Sequence, residues 1–263
     1  MHVTLCLSGG AARGAFHLGV LQALDTLNVT VKALSGSSIG AVIALSYASG
    51  VSPKEQLALF KSAAFKRSIR FNYFKKGIFR IDTSAPIVNE LLPVTSFEAL
   101  NIPTYVTTVD LRDGVLHTLN SGDTHVAALA STALVPLFRP VLHQQMLLAD
   151  GGFLNNFPLQ PLQTYQLPII GSNAMPVTPR QPQGIRDIFK RALFLLSQSA
   201  VIDKLQTCNY YITSPKLARY PLFRRNALDE LFALGYTCTH KIFSNPAQEG
   251  IEHSRRKKPL EQS

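Results

Sequence analysis

The 263-residue chain is short of long apolar runs, of cysteine and of acidic side chains. A bilayer-spanning helix needs about 20 consecutive, predominantly apolar residues, and no stretch supplies them, although hydrophobic residues make up 46% of the sequence. That fraction therefore reads as core, enough for one large core or a core with a small appendage. Met1-His2-Val3 runs straight into the first predicted strand, so no cleaved leader is expected. The three cysteines, Cys6, Cys208 and Cys238, are too far apart for a metal pair or a C-x-x-C redox motif. They read as buried free thiols compatible with the cytoplasm. No His/Asp/Glu set is clustered, which argues against calcium, and no cofactor is expected. Sixteen acidic residues face 26 basic ones, a net charge of +10. No recognition motif accompanies that charge, and nucleic acid is not the expected partner.

Three motifs stand out against this background. The first is Leu7-Ser8-Gly9-Gly10-Ala11-Ala12-Arg13-Gly14, between the apolar stretch Val3 to Leu7 and the amphipathic stretch from Ala15 to Leu24. Backbone N–H groups in such a strand-to-helix loop are free to point at an anion, and the helix dipole adds positive potential. The loop lacks the Gly-Lys-Ser/Thr ending of a phosphate-binding P-loop and the G-x-G-x-x-G of a dinucleotide fold. The second is Gly36-Ser37-Ser38-Ile39-Gly40, between Val31–Leu34 and the small-residue run Ala41–Ala48. It has the form of a nucleophile elbow, in which flanking glycines remove the Cβ atoms that would collide as Ser38 is pushed out at the apex. The third is Asp150-Gly151-Gly152 after Met146-Leu147-Leu148-Ala149. An acid at a strand end can reach a serine presented from a neighbouring strand end; alone, an Asp-Gly pair is a plain turn.

In this order the three motifs resemble the patatin-like phospholipase family. The resemblance also takes in Ala130-Ser131-Thr132-Ala133, Pro136, Phe138, Pro140, Asn156, Pro158 and Leu234-Gly235-Tyr236. It implies an α/β fold, a three-layer sandwich with a central, mostly parallel sheet flanked by helices. Residues 1–243 then form the catalytic domain and residues 244–263 a basic, disordered tail. It further implies a Ser38–Asp150 dyad acting through an acyl-enzyme on carboxylic esters of phospholipids or lysophospholipids, without a metal. Gly10 and Ala11 are the expected oxyanion donors, with Gly9 shaping the approach and Arg13 bracing the loop or steering an anionic headgroup. The family carries a third glycine where this chain has Ala11. A positive φ there would strain alanine by roughly 1–2 kcal/mol. Acyl transfer through the same acyl-enzyme, and lipid binding without turnover, are the alternative functions.

The histidines fit a dyad better than a triad. Only His240 and His253 follow Asp150, and neither has a motif around it. His17 and His143 lie in apolar stretches and read as core residues; His2, His117 and His125 read as strand-edge or loop positions. Hydrophobic periodicity and turn signals place strands near 3–7, 31–35, 104–109, 115–119, 141–148, 167–171 and 208–212. Helices are expected near 13–27, 39–49, 53–64, 84–91, 123–133, 184–206 and 226–243. This alternation predicts crossover connections and a site at strand ends. Residues 66–82 are the expected flap. Across residues 61–80, Lys61, Lys66, Arg67, Arg70, Lys75, Lys76 and Arg80 interleave with Phe65, Phe71, Tyr73, Phe74 and Phe79. Two readings stay open for that stretch: peripheral contact with an anionic membrane surface, or aromatics packed on the core under solvated cations. For Arg186 and Lys190-Arg191 with Ile185, Ile188, Phe189, Leu193, Phe194 and Leu196, core packing of the apolar face is expected.

Overall fold

The computed structural model describes residues 1–72, 77–202 and 204–244. Tyr73, Phe74, Lys75, Lys76, His253 and all but the first residue of the expected tail lie outside the described residues. The strands are β1 (His2–Leu7), β2 (Thr30–Ser37), β3 (Ile69–Phe71), β4 (Phe79–Ile81), β5 (Thr104–Asp110), β6 (Val115–Leu119), β7 (Val141–His143), β8 (Met146–Asp150), β9 (Ile169–Ser172) and β10 (Tyr210–Ile212). The helices are α1 (Ala15–Thr26), α2 (Ile39–Ala48), α3 (Pro53–Lys61), α4 (Ala63–Ser68), α5 (Pro86–Leu91), α6 (Thr124–Ser131), α7 (Gln160–Gln163), α8 (Gly184–Ile202) and α9 (Leu228–Ser244).

The main sheet has the order β10-β9-β1-β2-β5-β8-β7, with β6 also on β5. From β10 to β5 all pairings are parallel; those of β6, β7 and β8 are antiparallel. Alternation along β1 explains the layers. Val3, Leu5 and Leu7 join a large core with Phe16 of α1, Ile43 of α2 and Leu231 of α9. Cys6 points the other way, into a smaller core with Phe157, Leu162 of α7 and Val201 of α8. The result is the expected helix–sheet–helix sandwich.

β5 brings the ends of two strands together. Its Thr104–Thr107 segment pairs with Leu34–Ser37 of β2, and its Thr108–Asp110 segment with Asp150–Leu148 of β8. β6 runs along Val106–Asp110 and so occupies the opposite edge. Thus β2 and β8 lie end to end on one edge of β5, running toward each other, and their C-termini meet beside Thr107 and Thr108.

Several expectations need correction. The strand expected over 141–148 is a hairpin, because Gln144 takes a positive φ and turns the chain between β7 and β8. The helix expected over 53–64 breaks at Ser62, whose hydroxyl accepts from Phe65 N–H and caps α4. The expected flap contains the antiparallel β3–β4 hairpin, with Ile69 opposite Ile81. Of the described aromatics of this stretch, Phe65 stands edge-on to Phe60 and Phe79 packs near Phe138, whereas Phe71 meets Phe79 edge-on and is 47% exposed. Lys61 pairs with Asp229 and Arg70 with Asp82. The apolar face of α8 does not pack on the core, since the helix is seated through Gln198 and Val201 on its other side.

The tightest helix contact in the large core is the crossing of α1 and α9. A Cβ on Gly19 would lie 1.9 Å from the Phe232 carbonyl oxygen, and one on Gly235 would lie 2.0 Å from that of Phe16. Backbone meets backbone there, and neither helix can yield without moving. Gly235→Ala is expected to destabilise the fold by about 3 kcal/mol through overpacking, read as a lower midpoint of urea unfolding.

Candidate active site

Ser38 sits at the turn from β2 to α2 with φ 54° and ψ −128°, a conformation that a non-glycine residue holds only where its surroundings over-determine it. The surroundings do so from both sides. A Cβ on Gly36 would lie 2.6 Å from Ala41 N and from the Gly40 carbonyl, and one on Gly40 would lie 2.3 Å from the Leu7 carbonyl oxygen. The two glycines let α2 fold back against β2 and let the end of β1 pass beneath the turn. The Ser38 N–H donates to Ser131 Oγ at 2.9 Å, anchoring the apex to the end of α6.

Asp150, the last residue of β8, arrives from the opposite direction. Ser38 Oγ donates to Asp150 Oδ2 at 2.7 Å, and Gly152 N–H donates to Oδ1 at 2.8 Å. The carboxyl is buried, and desolvation pushes its pKa up to about 6, against the opposing pull of those two hydrogen bonds. Its conjugate base is thus stronger than that of an ordinary aspartate and remains mostly ionised at neutral pH.

The glycine-rich loop lies beside this pair. Gly9 N–H donates to Asn156 Oδ1 at 3.0 Å, so it is already engaged. The Gly10 and Ala11 N–H groups have no acceptor among the described residues. Arg13 donates from Nε to the Tyr220 carbonyl at 2.8 Å, and Ala12 N–H donates to the Leu222 carbonyl at 2.8 Å. Arg13 therefore braces the loop against the chain before α9. It is buried without an acidic partner among the described residues, and that burial lowers its pKa. His17 lies beneath the loop. Because a carbonyl only accepts, its Nε2–H donates to Ser8 O at 2.9 Å, which leaves Nδ1 to accept from Ser172 Oγ at 2.7 Å. Burial pushes its pKa down to about 4, and it stays a neutral brace, as expected of a core histidine. Ser8 Oγ donates to Gly9 O and accepts from Ala174 N–H.

An apolar cavity of about 270 Å³ opens beside Ser38 and Ala11. Ile39, Val42, Leu91 and Ala128 line it, with Ile69 and Ile81 of the β3–β4 hairpin. His125, expected on a strand edge or loop, is on α6 and lines this cavity while bonding the Leu92 carbonyl. Among the described residues no histidine bonds to Ser38 or Asp150. No group of three or more His, Cys, Asp or Glu there could hold a metal ion. The structure thus brings together Ser38, Asp150, Gly9, Gly10 and Ala11. The supporting parts not recognised from sequence are Ser131, Asn156 and the His17–Ser8 brace. Ser131 and Asn156 lay within the quoted motifs, but their hydrogen bonds depend on long-range packing.

Two predictions follow from strain and burial. Ala11 has φ 49°, so Ala11→Gly is expected to raise stability by about 1 kcal/mol, seen as a higher urea midpoint. Asp150 has a folded-state pKa raised above its unfolded value. The stability it contributes is complete below about pH 4 and is lost as pH rises through about 6. Asp150→Asn is therefore expected to stabilise the protein by up to about 3 kcal/mol at neutral pH, with the gain vanishing in melts at pH 4.

Residues 5–162, more than half of the chain, match the family model described as patatin-like phospholipase. An uncharacterized NTE family protein of Mycobacterium bovis is 29% identical over 211 residues, which are 76% of this chain and 58% of that protein. Lysophospholipase NTE1 of Cryptococcus neoformans is 28% identical over 175 residues, 61% of this chain and 10% of that protein. The chain thus spans little more than half of the first relative and a tenth of the second. The crystal structure of VipD from Legionella pneumophila matches with a TM-score of 0.51 at 16% identity, over 93% of this chain and 67% of that one, a likeness of fold. The family match runs from within β1, past Asp150, into α7, and the chain belongs to the patatin-like phospholipase family.

Proposed function

We propose that the protein is a lipid acyl hydrolase that cleaves carboxylic ester bonds of phospholipids or lysophospholipids through a Ser38–Asp150 dyad. The observation that carries this reading is the 2.7 Å hydrogen bond from Ser38 Oγ to a buried carboxylate, at the wall of an apolar cavity that can take an acyl chain. Membership of the family and the relative named lysophospholipase support the substrate class. In the proposed reaction Ser38 Oγ attacks the ester carbonyl carbon as its proton passes to Asp150 Oδ2. The Gly10 and Ala11 N–H groups hold the tetrahedral oxyanion; one such donor is worth on the order of 3 kcal/mol in the transition state. Collapse breaks the ester bond, and Asp150 returns its proton to the leaving alkoxide. Asp150 then deprotonates a water that attacks the acyl-serine carbonyl; the second tetrahedral intermediate collapses with cleavage of the bond to Ser38 Oγ, Asp150 returns the proton to Oγ, and the fatty acid leaves. The proposed chemistry uses no metal ion.

Fatty-acid release from phosphatidylcholine and lysophosphatidylcholine, with EDTA present, tests the reading. Ser38→Ala and Asp150→Asn are each expected to lower release by at least about a thousandfold with folding intact. Release by wild type that ignores Ser38, or that EDTA abolishes, overturns it. With a water-soluble ester, kcat/KM is expected to rise with pH through an apparent pKa of about 6 as Asp150 ionises; a rate flat from pH 5 to 8 would remove Asp150 as the base.

A further inference from the structure

α8 carries its apolar residues on the wrong side for a soluble helix. At 100° per residue, Ile185, Ile188, Phe189, Leu193, Leu195 and Leu196 fall within an arc of roughly 160°. All six are exposed, Ile185 by 80%, Leu196 by 68% and Phe189 by 63%. Gln198, 1% exposed, and Val201 lie on the opposite side and seat the helix on the protein. The cations border the arc: Arg186 and Lys190 follow it on one side and Arg191 on the other. The one carboxylate of the helix, Asp187, is paired with Arg180. Arg191 donates to the Thr178 carbonyl and lies over the Phe194 ring. Among the described residues, no carboxylate forms a salt bridge with Arg186, Lys190 or Arg191, although Asp187 feels the charge of Lys190.

A wide apolar arc with cations on both borders matches the interface of an anionic bilayer, where acyl chains take the apolar side chains and lipid phosphates the flanking cations. It offers a second copy of this chain no carboxylate to meet those cations, because the one carboxylate of the helix is already paired with Arg180. Nor does it suit the chain's own C-terminal segment, which carries Arg255-Arg256-Lys257-Lys258. We propose that α8 docks the protein on an anionic lipid bilayer, with its apolar arc inserted below the headgroups. The short segment between β9 and α8 joins this surface to the glycine-rich loop. Asn156, which accepts from Gly9, also contacts Met175 Sδ, and Thr178 is held by Arg191. The docking is argued from α8 alone; its use, delivery of lipid esters to Ser38, rests on the hydrolase reading.

The chain contains no tryptophan, so Phe189→Trp supplies a single fluorophore in the arc, and Leu142→Trp on the far edge strand β7 serves as the control. Both are made in the Ser38→Ala protein, so that no vesicle is hydrolysed, and mixed with phosphatidylcholine–phosphatidylglycerol vesicles containing brominated chains. Phe189→Trp is expected to shift to shorter wavelength and be quenched, and Leu142→Trp to remain unquenched. Replacing Ile185, Phe189 and Leu196 together by serine is expected to lower vesicle co-sedimentation at least about tenfold. Melting temperature and, with Ser38 restored, hydrolysis of a water-soluble ester should not change. Equal quenching at both positions, or wild-type sedimentation by the triple-serine variant, overturns the proposal. So does a wild-type dimer that ignores vesicles and that the triple substitution disperses. Quenching at Phe189→Trp in a protein that hydrolyses no ester would leave the docking standing and sink the hydrolase reading.

Discussion

The hydrogen bond between Ser38 and Asp150 is the contact to which the geometry of the site is subordinate. It exists because β2 and β8 spend one edge of β5 between them, each pairing with half of it and stopping where the other begins. Had β8 run parallel to β2, its carboxyl end would face away from the serine. The antiparallel strand is thus a requirement of the site within an otherwise parallel arrangement. Because both ends are fixed by sheet hydrogen bonds, the pair is held by rigid elements instead of loops, which suits a contact that tolerates little displacement.

Unfavourable terms collect at the same place. Ser38 and Ala11 hold positive φ, and Asp150 is buried with its basicity raised. None is stable in isolation; each persists because packed backbone surrounds it, the Gly40–Leu7 approach on one side and the β5 edge on the other. The brace under the glycine-rich loop has the opposite character. His17 is neutral throughout the range in which Asp150 titrates, its pKa held near 4 against about 6. The proposed base can change charge while the proposed oxyanion loop keeps its shape.

Ser38, Asp150 and Gly10 were legible in the sequence because each depends on a local pattern: glycine spacing around an elbow, an acid ending an apolar run, a strand–loop–helix junction. The alternation of strands and helices was legible for the same reason. What escaped was non-local. Ser131 anchors Ser38 across 93 residues, and Asn156 reaches Gly9 across 147; no spacing rule announces either bond. The break at Ser62 escaped because its cap competes with a continuous helical pattern, and the hairpin at Gln144 because a glutamine is an uncommon occupant of positive φ.

The two basic and apolar stretches show the limit most clearly, because periodicity reports that a face is apolar without saying what covers it. Around residues 61–81 the sequence left membrane contact and core packing open, and the described aromatics pack on one another and on the cavity wall. In α8 the sequence favoured core packing, and the arc is exposed. The discriminating quantity is where the cations fall around the helix. A core-facing amphipathic helix can place its charges anywhere on the solvent side, often centred opposite the apolar face. An interfacial helix gains most by setting them at the borders, where long side chains reach the headgroup plane while their stems lie along apolar surface. Arg186 and Lys190 on one border and Arg191 on the other follow the second arrangement, and Gln198 on the opposite face supplies the polar side turned inward. The wheel alone does not separate the two arrangements; the fold adds which side of α8 the protein already uses, and the proposed docking rests on that.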